Sequence, residues 1–124
     1  MKILIADDSI VSRHLLEATL RKWGYDVTVA CDGLEAWNAL CSGKYDLVIT
    51  DIDMPRMNGI ELAALIKNGS LLEPVPILML SYKDGEDERR RGLQAGADFY
   101  LAKGTFHDQT LLQAVVELIG GPDA

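Results

Sequence analysis

Five short apolar runs punctuate the chain: Lys2–Ala6, Asp26–Ala30, Leu47–Asp51, Ile77–Ser81 and Phe99–Ala102. The stretches 3–6, 47–50 and 77–80 are nearly continuous in apolar residues. That is the pattern of strands covered on both faces. Between the runs the period changes to that of a helix. Leu16, Leu20 and Trp23 share one face of the first such segment. Leu111, Val115 and Leu118, with Leu112, Val116 and Ile119, form a broad stripe on the last. Gly24 follows the first helical segment, where a left-handed stop is common. Strands alternating with helices predict a parallel sheet with right-handed crossovers. About five such units in 124 residues predict a three-layer α/β sandwich.

The connections fall into two sets. Those before strands are short and plain, such as Gly24-Tyr25 and Gly96-Ala97-Asp98. Those after strands carry Asp7-Asp8-Ser9, Asp51–Gly59, Ser81–Gly85 and Lys103–Asp108. In open α/β sheets, ligands bind beyond the carboxyl ends of the strands. Asp7, Asp8, Asp51, Ser81 and Lys103 are therefore expected to meet at one edge.

Composition narrows the options. With 48% hydrophobic and 25% charged residues the chain is of ordinary globular make-up. A net charge of −7 argues against direct nucleic-acid binding, which draws on clustered Lys and Arg. No signal-like segment and no apolar stretch near ~20 residues is present, so no membrane contact is expected and the expected compartment is the cytoplasm. Cys31 and Cys41 lack a metal-site spacing and are expected to be reduced, partly buried thiols. Residues 1–120 are expected to form the folded unit, with 121–124 a tail or linker stub.

The strand-end residues suit phosphoryl chemistry. Two carboxylates about 4 Å apart repel by roughly 4 kcal/mol at an effective dielectric near 20, so a cluster of three favours a bound cation. Oxygen ligands with room for water suit Mg²⁺. A metal and the Lys103 ammonium would neutralise a phosphoryl group between them, and Ser81 would donate a hydroxyl hydrogen bond to it. Asp51 ends the run Leu47-Val48-Ile49-Thr50 and is the rigidly held carboxylate. Carboxylates act as phosphoryl acceptors, a transfer that demands mainly positioning and charge neutralisation.

Three motifs carry a family resemblance over essentially the whole chain: Ile3-Leu4-Ile5-Ala6-Asp7-Asp8-Ser9, Asp51-Ile52-Asp53-Met54-Pro55-Arg56-Met57-Asn58-Gly59, and Gly92-Leu93-Gln94-Ala95-Gly96-Ala97-Asp98. The chain resembles the receiver domain of two-component response regulators, close to the chemotaxis type. The resemblance implies a flavodoxin-like fold with five parallel strands in the order 2-1-3-4-5 and five helices. It implies that Asp51 takes a phosphoryl group from a sensor histidine kinase or phosphotransfer domain. It also implies Mg²⁺, with Mn²⁺ as an alternative, held by Asp8, Asp51 and the backbone carbonyl of Asp53, with Asp7 assisting through water. Lys103 and Ser81 would contact the phosphoryl group. Ser81 and Tyr100 would act as the switch pair that remodels the surface of the fourth helix, fifth strand and fifth helix. That surface would serve a downstream protein, a linked output domain, or a phosphorylation-dependent dimer.

Two features depart from the family pattern. Gly104 stands where the family usually has Pro after the Lys. A cis non-Pro bond costs roughly 2.5–4 kcal/mol, so a trans bond and a differently shaped turn are expected. Asp53 and Lys83, each two residues past a core site residue, are expected to flank the phosphoryl group and to lengthen its lifetime by hindering water. The charge run Asp84–Arg91 offers a partner surface or a solvated helix face. Two other classes compete with the switch. One is an aspartyl-phosphate phosphohydrolase, suggested by Asp51-Ile52-Asp53 but lacking a first-strand nucleophile and a cap domain. The other is a phosphate-independent interaction module. No Gly-rich phosphate loop follows the first strand, which disfavours a nucleotide or flavin binder.

Overall fold

The structure is a computed structural model that describes residues 1–69, 75–81, 86–102 and 108–121. Strands and helices alternate in the order β1 (Lys2–Ala6), α1 (Ile10–Lys22), β2 (Asp26–Ala30), α2 (Gly33–Ser42), β3 (Leu47–Asp51), α3 (Gly59–Asn68), β4 (Ile77–Ser81), α4 (Glu86–Ala95), β5 (Phe99–Ala102) and α5 (Asp108–Ile119). The sheet is parallel with order β2-β1-β3-β4-β5. The expected fold class and strand boundaries are those observed. Among the described residues no helix is long and apolar enough to cross a membrane.

The continuous apolar runs are explained by two cores, one on each face. Successive strand side chains point to opposite sides. Leu4, Ala6, Val48, Ile77 and Met79 therefore join Ala36, Leu40, Leu62, Ala63 and Ile66 of α2 and α3. Ile3, Ile5, Leu47, Ile49, Leu78 and Leu80 join Leu16 and Leu20 of α1 and Leu111, Ala114 and Val115 of α5. Each such Leu or Ile removed from water contributes about 1.5–3 kcal/mol. β3 and β4 are buried at every position, whereas the edge strands β2 and β5 are not. The central strands thus make the rigid platform from which Asp51 and Ser81 emerge.

Helix ends follow the local sequence. Ser9 caps α1 by accepting from the Ser12 N–H, and Asn58 and Glu61 form a reciprocal capping box on α3. Gly24 has φ 97 and ends α1 as expected. The stripe on α5 is narrower than its sequence suggests: Leu111 and Val115 are buried, while Val116 remains exposed. The cysteines correct an expectation. Both Cys31 and Cys41 are free and exposed, because Cys31 lies just past the end of β2 and Cys41 on the outer side of α2. The Cys31 thiol donates to Glu35 Oε2 at 3.2 Å, and that acceptor pushes its pKa up, so the protonated thiol is favoured.

Candidate functional site

β1 and β3 are hydrogen-bonded neighbours, with Ala6 opposite Thr50. The residues just beyond this pair are therefore brought together at the carboxyl edge. Asp7, Asp8 and Asp51 each offer a carboxylate oxygen, and these oxygens all lie within 4.8 Å of one another. Asp7 and Asp51 are buried, at 1% and 7% exposure, while Asp8 opens to solvent. Ser81, at 1% exposure, ends β4 on the strand next to β3.

Local hydrogen bonds aim these groups. Asp7 Oδ1 accepts from the Ser9 N–H at 2.9 Å and Oδ2 from the Ser12 hydroxyl at 2.6 Å. Arg13 Nη1 donates to the Asp7 carbonyl at 2.9 Å. The turn into α1 is thus braced by Asp7, and Ser9 rather than either aspartate is the helix cap. Asp51 Oδ1 accepts from the Ile52 N–H at 2.8 Å, which orients this carboxylate at the strand end. Among hard cations, a small divalent ion fits three such oxygens: the cluster supplies the negative charge and one open side supplies water.

The other expected residues are placed as follows. Asp53 lies exposed in the loop after β3, and Tyr100 is half-buried on the edge strand β5, packed against the core shared with α2 and α3. Lys83, Lys103 and the Lys103-Gly104 turn lie outside the described residues. The fourth helix carries ion pairs between Arg90 and Asp87 (3.4 Å) and between Arg91 and Glu88 (3.8 Å). The exposed Arg90–Asp87 pair is worth about 0–1 kcal/mol, while Glu88 in the second pair is partly buried.

Sequence reasoning missed Asp32 and Arg56. Asp32, at 2% exposure, caps α2 through Oδ1, which accepts the Glu35 N–H at 2.8 Å. Its Oδ2 accepts Arg56 Nε at 2.8 Å and also Nη2. The Glu35 N–H, together with the Arg56 guanidinium, holds the Asp32 carboxyl below the ordinary carboxylate range despite burial. Asp32-Gly33-Leu34-Glu35 is a helix-start signature and was available to find the first partner. Nothing in the sequence marked the second.

A family model described as the response regulator receiver domain matches residues 3–116. The chain belongs to that family, the phosphorylation-dependent signalling switches of two-component systems. Among its relatives, a gliding motility regulatory protein of Myxococcus xanthus is 36% identical over 118 residues, covering 95% of this chain and 15% of that protein. The chemotaxis protein CheY1 of Helicobacter pylori is 35% identical over 125 aligned residues, covering 99% of this chain and 100% of that one. The receiver domain of the Pseudomonas aeruginosa sensor histidine kinase PA1611 superposes with a TM-score of 0.87 at 32% identity, covering 97% of this chain and 98% of that domain. That structure holds a magnesium ion coordinated in its active-site cleft.

Proposed function

We propose that Asp51 is the phosphoacceptor of this switch. What carries the reading is the convergence of the Asp7, Asp8 and Asp51 oxygens within 4.8 Å at the end of the buried central strands. A bound Mg²⁺, or Mn²⁺ in its place, would offset the charge of these carboxylates and of the incoming phosphoryl group. Asp7, Asp8, Asp51 and the Asp53 backbone carbonyl would hold it. An Asp51 carboxylate oxygen attacks phosphorus as the P–N bond of a phosphohistidine breaks, and the departing imidazole nitrogen takes up a proton. The Ser81 hydroxyl donates to a phosphoryl oxygen, and the Lys103 ammonium pairs with it. The chain catalyses its own phosphorylation and slow hydrolysis rather than turnover of external substrates. Asp53 and Lys83 hinder the water that ends the state.

A histidine kinase or phosphotransfer domain is the donor. Ile10, Val11 and Leu15 stand 63%, 70% and 65% exposed on α1, which starts two residues beyond Asp8. This apolar shelf beside the acidic cleft offers a donor helix a place to lie. Movement of Ser81 and Tyr100 toward the phosphorylated state alters the α4-β5-α5 surface for a downstream protein, an output domain or a second copy. The folded unit spans 1–120, and the working compartment is the cytoplasm.

The test uses acetyl phosphate as a small donor. With Mg²⁺ the intact mass is expected to rise by one phosphate, and EDTA added beforehand is expected to abolish the gain. Phosphate uptake that EDTA leaves unchanged would remove the metal from the account. Many equivalents of nitrophenol from p-nitrophenyl phosphate would instead mark a phosphohydrolase.

A further inference from the structure

The loop between β3 and α3 contains the sole positive-φ residue other than glycine among the described residues, Arg56 at φ 65. The Met57 N–H donates back to the Pro55 carbonyl at 2.7 Å across it. An i→i+2 bond closed over a positive φ is the rare and strained form of the three-residue turn. Strain of this kind persists where the surroundings over-determine it. Here three ties do so. The Arg56 guanidinium sits on Asp32 Oδ2 through Nε at 2.8 Å and through Nη2. The Gly33 N–H donates to the Met57 carbonyl at 3.1 Å. The Gly59 N–H donates to the Ile52 carbonyl at 2.8 Å and closes the loop on itself. The approach at Gly33 is so close that a Cβ there would stand 2.2 Å from the Met57 oxygen.

Asp53, whose carbonyl is the proposed fourth metal ligand, hangs between these ties. Asp32 cannot be explained by capping alone. One oxygen caps α2, and the other is spent on a side chain 24 residues away. We propose that the Arg56–Asp32 pair positions the divalent-cation site, by pinning the loop that carries Asp53 to the start of α2. The inference rests on the reading of Asp7, Asp8, Asp51 and the Asp53 carbonyl as the cation's ligands. Neither Arg56 nor Asp32 touches the ion; both act through the backbone of 52–58.

Charge makes the proposal separable from its rivals. Positioning requires that loss of either partner weaken cation binding. Long-range electrostatics requires opposite signs, because removing Arg56 takes away a positive charge and removing Asp32 a negative one. A purely structural pair moves stability and leaves the ion alone. The experiment is Mg²⁺ titration of the full chain by calorimetry with no phosphodonor present, on wild type, Asp32→Asn, Arg56→Met and the double variant. Asn keeps the cap, and Met keeps side-chain length. Each single variant is expected to weaken Mg²⁺ binding about tenfold, as loss of outer partners of a metal site does. The double variant is expected to match the weaker single, because both break one link. Unchanged affinity in both singles, or shifts of opposite sign, would overturn the proposal. Absence of Mg²⁺ binding by the wild-type protein would overturn the site reading and the proposal with it. Should either single fail to fold, Arg56→Lys keeps the charge, loses the fork of donors and gives the same readout.

Discussion

Asp8→Asn is expected to raise the melting temperature of the metal-free protein while weakening its hold on Mg²⁺ at least about tenfold. The two effects have one cause. Like charges within 4.8 Å repel by about 1–3 kcal/mol, taking a dielectric between that of water and that of a protein surface. Asp8 is the exposed member of the cluster, whereas Asp7 is buried and braced by the Ser9 N–H and the Ser12 hydroxyl. Its neutral isostere therefore relieves repulsion at little structural cost. The same charge is what attracts a cation, and each 1.4 kcal/mol lost is about a factor of ten in affinity. Thermal melts with and without Mg²⁺ measure both. A variant that melts lower without metal, yet binds Mg²⁺ as tightly as wild type, would show that Asp8 serves the turn rather than the ion. Sites that gather like charge give up stability for function, and this one is expected to show it in a single substitution.

Gly59→Ala is expected to destabilise the fold by about 2–4 kcal/mol, near the top of what a single methyl group does. Gly59 opens α3, and its N–H must reach the Ile52 carbonyl at 2.8 Å. That contact presses its Cα against the end of β3. A Cβ built there would lie 2.1 Å from the Asp51 carbonyl oxygen and 3.0 Å from Ile52 Cα. Both are backbone, and the Asp51 carbonyl is already held by the Thr50 hydroxyl at 2.9 Å. Neither side can yield without moving Asp51 or the start of α3. Denaturant unfolding measures the loss, and a shift in midpoint without a change in slope would confirm that the native state carries it. Phosphorylation by acetyl phosphate should fall as well, because the strain falls on Asp51. Wild-type stability in this variant would mean that the loop relaxes freely, which is incompatible with a rigidly held Asp51.

The fold was legible because buried parallel strands leave an unambiguous trace. Leu47-Val48-Ile49 and Ile77-Leu78-Met79-Leu80 are apolar on both faces, and the structure buries every one of them. The acidic cluster was legible for a related reason: strand ends in a parallel sheet meet, so Asp7, Asp8 and Asp51 had to converge. What stayed hidden depends on chain that folds back on itself. Arg56 reaches Asp32 only because the loop after β3 turns through a positive φ, and no periodicity announces that. The apolar residues of α1 divide, and the expected face of Leu16, Leu20 and Trp23 is the one that meets the core. Leu16 and Leu20 enter the core, but Ile10, Val11 and Leu15, equally apolar, point outward. Hydrophobicity alone does not tell a core position from a docking position. The cysteines failed for lack of pattern, since nothing in the sequence fixes which side of α2 or of the β2 turn a thiol takes.

Asp51 is proposed to receive the phosphoryl group. Intact-mass measurement of wild-type protein and Asp51→Asn, each incubated with acetyl phosphate and Mg²⁺, tests it most directly. One added phosphate is expected on the wild-type chain and none on the variant, with both proteins folded. Equal phosphate uptake by the two would contradict it and would move the acceptor to another residue.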